Sequence, residues 1–109
     1  MSVRGAQKKI DETLVTWPGV TSRPHRFGGL EYVYGENREI GHTHGDQLVD
    51  IPLTRRVRDE LVAAGRAEPH HVLPDTGWIT FRLRQPADVD KAIELFRLAY
   101  EQAARQKAG

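Results

Sequence analysis

Gly28-Gly29-Leu30-Glu31-Tyr32-Val33-Tyr34-Gly35-Glu36-Asn37-Arg38-Glu39-Ile40-Gly41-His42-Thr43-His44-Gly45-Asp46-Gln47-Leu48-Val49-Asp50-Ile51 decides the fold. Paired glycines accept the positive φ of a tight turn, and Tyr and Val suit a pleated strand, so Leu30 to Tyr34 follows a hairpin turn. Gly35-Glu36-Asn37 makes the next turn, Arg38 to His44 a third strand, and Gln47 to Ile51, after Gly45-Asp46, a fourth. With the extended segment Val20 to Phe27 ahead of them, these strands read as an antiparallel meander.

Outward from the meander the periodicity changes. Ala6, Ile10, Leu14 and Trp17 recur at helical steps and Pro18-Gly19 stops them, which predicts a first helix from Ala6 to Trp17. A second runs from about Thr54, its N-cap, to Ala64, with Val57, Leu61 and Ala64 as the buried stripe and Gly65 as the exit; Arg55, Arg56 and Arg58 face water. After a short segment around Glu68 to Val72 and a turn at Pro74 to Gly77, Trp78 to Arg84 alternates, with Ile79, Phe81 and Leu83 on the core face. The last helix starts after Pro86 with Asp88 as its cap, buries Val89, Ile93, Phe96 and Tyr100, and frays from Arg105 onward. The predicted fold class is α+β: an antiparallel sheet with helices packed on one face, in the order α-β-β-β-β-α-β-β-α.

Composition bounds the function. The 109 residues and 39% apolar content suit one domain spanning 1–109, with an ordered core over 6–104. A formal charge of +1, from 16 basic and 15 acidic side chains, gives no field that would favour nucleic acid. No stretch approaches the roughly 18 apolar residues of a membrane span, and there is no secretory leader pattern, so the expected location is the cytoplasm. With no cysteine, any metal would have to be held by His, Asp or Glu. Phosphate-loop, serine-elbow, dinucleotide and zinc-finger patterns are all missing.

What chemistry there is belongs to the histidines. His42 and His44 are two apart on a strand and leave the same face about 6.6–6.8 Å apart at the backbone. Such a pair suits acid/base work or metal binding, with Asp46, at the same parity, orienting an imidazole or serving as a third ligand. The bland reading, in which a His-x-His at a strand end only bonds to neighbouring loops, stands beside it. His70 and His71 are adjacent, so in an extended segment only one of them joins that face. Trp78 shares its face with Arg82 and is placed to stack on a flat ligand, while Arg82 could hold an anionic group. His25 and Arg26 lie on a basic strand that is either part of the site or a wet edge. A cupin-like metal site lacks its later glutamate here, because Gln47, Leu48 and Val49 follow Asp46.

Trp17-Pro18-Gly19-Val20, Pro24-His25-Arg26-Phe27-Gly28-Gly29, Gly41-His42-Thr43-His44-Gly45-Asp46 and Pro69-His70-His71-Val72-Leu73-Pro74-Asp75-Thr76-Gly77-Trp78, followed by a terminal helix, together resemble the luciferase-domain family from about Ile10 to Ala104. That family groups small bacterial proteins with the fungal luciferase, which oxygenates a hydroxylated hispidin with molecular oxygen and has no established organic cofactor. The resemblance implies an oxygenase or related acid/base enzyme acting on a small phenolic or enolic substrate; light emission is not implied. The positions it carries over are His25, His42, His44, Asp46, His71 and Trp78; with the residue reading added, His42, His44, Asp46 and His71 are the expected catalytic residues and His25, Arg26, His70, Trp78 and Arg82 the expected substrate-binding ones. No cofactor beyond oxygen as co-substrate is expected; the alternatives are a divalent metal on His42, His44 and Asp46, and a non-enzymatic module that binds a small ligand or a protein. A homodimer through an exposed Trp78 face is a further expectation. The layout is also similar, more distantly, to the YjbR-like α+β proteins, for which DNA binding has been suggested; Arg55, Arg56 and Arg58 are the only local basic run, and the balanced charge argues against that activity here.

Overall fold

Every neighbouring pair of strands runs antiparallel. In the computed structural model, which describes residues 2–25 and 28–108, the order is α1 (Ala6–Leu14), β1 (Val20–Pro24), β2 (Leu30–Tyr34), β3 (Arg38–His44), β4 (Leu48–Pro52), α2 (Arg55–Ala63), β5 (Glu68–Pro69), β6 (Trp78–Arg82) and α3 (Ala87–Ala108). The strands form one sheet ordered β1-β2-β3-β4-β6-β5. This is the expected α+β arrangement.

One face of the sheet carries the core. Tyr32, Ile40, Val49, Ile51, Ile79 and Leu83 are buried against Ile10 and Leu14 of α1, Leu61 of α2 and Leu95, Phe96 and Ala99 of α3. Burial of these apolar side chains is the main stabilising term, and alternation along each strand forces the intervening residues to the opposite face. In register across β2, β3, β4, β6 and β5, that second face presents Glu31, His42, Asp50, Thr80 and Glu68. A polar row on the helix-free face is where the chemistry lies.

Several expected boundaries move. The first helix ends at Leu14, and Trp17 follows in turns closed by Thr16 N–H to Thr13 O and Trp17 N–H to Leu14 O. Trp17 still packs, tilted against Tyr100 with the Arg97 guanidinium over its ring. In α2 Thr54 is the N-cap, its hydroxyl accepting Val57 N–H, but Ala64 is exposed, so Leu61 carries the buried stripe. Arg58 does not face water: it donates from Nη1 to Pro74 O at 2.6 Å and ties the loop before β6 to the helix. Asp88 sits inside the first turn of α3, its carboxylate accepting Arg84 and Gln85 N–H rather than capping the helix from outside. That helix continues to Ala108, because Arg38 bonds to Gln106 and the Lys107 ammonium lies over the Tyr34 ring. No helix among the described residues is long and apolar enough to cross a membrane.

Candidate functional site

The site begins with an irregularity in β3. Tyr32 pairs with Gly41 but Val33 pairs with Glu39, so β3 carries one extra residue. A bulge of this kind re-aims side chains. Gly41 makes it feasible: its φ is 137°, and a Cβ there would lie 2.5 Å from Phe96 Cε1 and 2.9 Å from Asp50 O. Past the bulge, Glu39 and His42, three apart and so opposed on a regular strand, share one face, and His42 Nδ1 stands 2.7 Å from Glu39 Oε2.

The register of β3 on β4 sets Asp50 directly opposite His42, and the register of β4 on β6 sets Thr80 opposite Asp50. Asp50 is 0% exposed, and Thr80 donates its hydroxyl to Asp50 Oδ1 at 2.7 Å. The other oxygen, Oδ2, faces three imidazoles: His44 Nε2 at 2.9 Å, His42 Nε2 at 3.4 Å and His70 Nε2 at 3.4 Å. His70 reaches it because the chain leaves the sheet after Pro69, and the ring is fixed by two backbone bonds, Val72 N–H and Leu73 N–H to Nδ1, both at 3.1 Å. His25 arrives from the end of β1 and stacks on His42 with ring centroids 4.1 Å apart. His25 N–H donates to Gly29 O at 3.1 Å, and Gly29 has no room for a side chain, since a Cβ there would lie 1.9 Å from Thr43 O.

Burial and charge oppose each other here. Burial works against a charged His42, but the hydrogen bonds to Asp50 and Glu39 and the attraction of both carboxylates outweigh it and lift the pKa to about 9. Burial likewise works against ionised Asp50, yet the bonds from His42 and Thr80, with the nearby His70 and His42, hold it well below the usual carboxylate range. His70 is pushed down by burial despite Asp50, and His25 by burial and then by the charge on His42.

These groups line a cavity of about 430 Å³. Its polar wall is Glu39, His42, His44, Asp50, His25 and His70; Trp78 closes one side, its ring 5.6 Å from that of His42 and 5.8 Å from that of His70. His71, Val72 and Leu73 complete the lining, and Val72 is 69% exposed at its rim.

The structure therefore brings together His25, His42, His44, His70, His71 and Trp78 of the expected site. Both adjacent histidines reach the cavity because the segment bends at His71 instead of staying extended; the His44 and His71 ring centroids are 6.4 Å apart. Asp46 is not among them: its carboxylate accepts Gly5 N–H at 3.2 Å and Gln7 N–H at 2.9 Å and so caps α1 from the β3–β4 turn. The carboxylate beside the histidines is Asp50. Arg82 also lies elsewhere, pairing with Glu68 at 3.4 Å away from the cavity lining. Arg26 falls outside the described residues. Asp50 and Glu39 were missed, although a lone carboxylate in the apolar run Leu48-Val49-Asp50-Ile51 is a signal, since a charge in a buried strand needs partners.

Two groupings of these residues have donor atoms that lie within 4.8 Å of one another: His42, His44 and Asp50, and Asp50, His70 and His71. Either is a candidate set of metal ligands by residue type.

Residues 37–99 match the model of the luciferase domain, and the chain belongs to that family. The matched segment contains Glu39, His42, His44, Asp50, His70, His71 and Trp78, and leaves out His25. No curated protein and no solved structure matches the chain.

Proposed function

We propose that the chain is an enzyme that binds a small, flat hydroxyl compound, a phenol or an enol, in the histidine cavity and ionises it for reaction with molecular oxygen. The observation that carries this reading is the pairing of His44 Nε2 with the fully buried Asp50 at 2.9 Å on the wall of a cavity closed by Trp78. A neutral imidazole that donates one N–H to a fixed carboxylate keeps its lone pair on the other nitrogen, which here makes His44 Nδ1 a proton acceptor. The phenolic or enolic proton passes to that nitrogen, and Asp50 stabilises the imidazolium that forms. Trp78 offers a face for stacking, and the apolar rim at Val72 and Leu73 limits water around the bound ring. Family membership supports the oxygen-dependent step, because the luciferase that the sequence resembles oxygenates a hydroxylated aromatic compound. An acidic hydroxyl whose anion is electron-rich is the substrate type that such a step requires.

The test is a panel of simple phenols and enolic 1,3-diketones, with binding followed by fluorescence in a Trp17→Phe background that leaves Trp78 as the reporter, and turnover followed with an oxygen electrode. The expected result is saturable quenching, and oxygen uptake that falls at least a hundredfold in His44→Ala while the fold, by circular dichroism, is kept. Binding without oxygen uptake across the panel would leave a ligand-binding module instead.

A further inference from the structure

Three imidazole nitrogens face one carboxylate oxygen, but their hydrogen-bonding partners make them unequal. We propose that the cavity of this enzyme holds one divalent first-row transition-metal ion, bound by His42 Nε2, His44 Nε2 and Asp50 Oδ2. The site rests on the substrate reading above for its purpose, and on separate geometry for its existence.

The two separations from Asp50 Oδ2 are those of a coordination polyhedron. Ligand atoms about 2.0–2.2 Å from one ion lie roughly 3.0 Å apart at a right angle and roughly 3.4 Å apart at a tetrahedral angle. The two histidine nitrogens stand 3.4 Å and 2.9 Å from Asp50 Oδ2, and His42, His44 and Asp50 each offer a ligand atom within 4.8 Å of the others.

The outer partners select these residues and reject a rival. A metal-binding imidazole gives its second N–H to a carboxylate or carbonyl, and His42 does so through Nδ1 to Glu39 at 2.7 Å. Asp50 is likewise anchored at its far oxygen by Thr80, which leaves Oδ2 to the centre. His70 has the opposite arrangement: its Nδ1 accepts two backbone N–H groups, so the proton of the neutral ring is on Nε2, where a ligand would need its lone pair. His70 is thus an outer hydrogen-bond donor to Asp50, which excludes the Asp50, His70, His71 grouping in this loop conformation. The charges of Asp50 and Glu39 balance a divalent ion in a buried place, and two imidazoles with one carboxylate suit iron(II), zinc or manganese better than a thiolate-seeking copper(I). Three protein ligands leave positions open on the cavity side for a substrate oxygen. With the ion on His44 Nε2 the ring proton sits on Nδ1, so His44 serves as proton acceptor in the metal-free cavity and as a ligand in the loaded one.

The experiment uses full-length, tag-free protein stripped with chelator and titrated with cobalt(II), read by its visible absorption, then displaced with zinc. The expected result is one equivalent with a d–d spectrum, affinity reduced more than a hundredfold in His44→Ala and in Asp50→Asn, ten- to a hundredfold in Glu39→Gln, and within a few-fold of wild type in His70→Ala. Asp50→Asn removes a buried charge; if it does not fold, the half-buried His44→Ala decides. Absence of a stoichiometric spectrum, affinity unchanged in His44→Ala, or equal loss in His70→Ala and His44→Ala would overturn the site. Phenol quenching of Trp78 in stripped protein that binds no cobalt would remove the metal alone; cobalt binding with no phenol or enol bound by stripped or loaded protein would support the metal and remove the substrate reading.

Discussion

Glu39 Oε2 accepts a hydrogen bond from His42 Nδ1 at 2.7 Å, although on an unbroken strand residues three apart point to opposite faces. The relationship exists because of the bulge at Ile40 and Gly41, and the bulge depends on a residue with no side chain. Gly41→Ala would place a methyl group 2.5 Å from Phe96 Cε1 at a φ that L residues seldom adopt. The expected cost is roughly 2–4 kcal/mol in a denaturant melt, because both strain and overpacking act at once. If the strand relieves the clash by losing the bulge, the Glu39–His42 bond is lost too, and cobalt affinity falls as it does in Glu39→Gln. A variant with wild-type stability and affinity would show that the bulge does not need glycine.

Protonation gives a second prediction, for the metal-free protein. His42 has a folded-state pKa of about 9 against an ordinary 6.5, so its contribution is complete below 6.5 and is lost as the pH rises through about 9. Asp50 runs the other way: held below its ordinary 3.8, it contributes above that value and is lost in stronger acid. Thermal stability of chelated protein should therefore be highest between 3.8 and 6.5 as far as this pair decides it, and should fall by about 3 kcal/mol between there and pH 10. Glu39→Gln removes one of the two carboxylates that sustain the charge on His42, so the alkaline decline should become shallower. A flat profile from pH 6 to 10 in wild type would contradict the assignment.

The loop that carries His70 and His71 is held by few bonds, and the ring of His70 makes two of them. Replacing it with alanine frees Val72 and Leu73 N–H, while Arg58→Ala releases Pro74 O from the other side. Each change should speed hydrogen exchange at residues 72 and 73 by about tenfold or more, with little change at the buried Val49 and Ile79 of the sheet. Uniform acceleration across the molecule would mean that the loop unfolds only with the whole domain.

How much of this was legible in the sequence depends on whether a feature is local. The meander and Thr54 as a cap are set by nearest neighbours and turn glycines and read correctly, as do Ile10, Leu14, Leu61 and Phe96 on the buried helix faces, whereas Ala64 is exposed and Trp17 lies past the end of α1. His42 and His44 share a face because β3 is regular after the bulge. Asp50 required the β3–β4 register, which pairs it with His42 eight residues away, and Glu39 required knowing that the strand gains a residue. Alternation carried too far misplaced Asp46 and Arg82. Parity along one strand does not survive the Gly45 turn, and a long arginine on the right face still swings to its nearest glutamate.

Asp46 and Asp50 make the sharpest contrast, since the two carboxylates are four residues apart and serve unrelated ends. Asp46 accepts two N–H groups at the start of α1, where Gly5, the N-cap, supplies no side-chain acceptor of its own. A carboxylate there also meets the positive end of the helix dipole. Asp46→Ala should accordingly lower stability by about 1 kcal/mol, in line with the loss of a helix cap. Because α1 packs on the core face and the cavity opens on the other, phenol quenching of Trp78 and cobalt affinity should both stay within twofold of wild type. Asp50→Asn should do the reverse at the site: it keeps a side chain of the same size and still satisfies Thr80, but loses the charge that His42 and His44 face. Loss of cobalt or phenol binding in Asp46→Ala, at a temperature where the variant is folded, would show that the β3–β4 turn reaches the site after all.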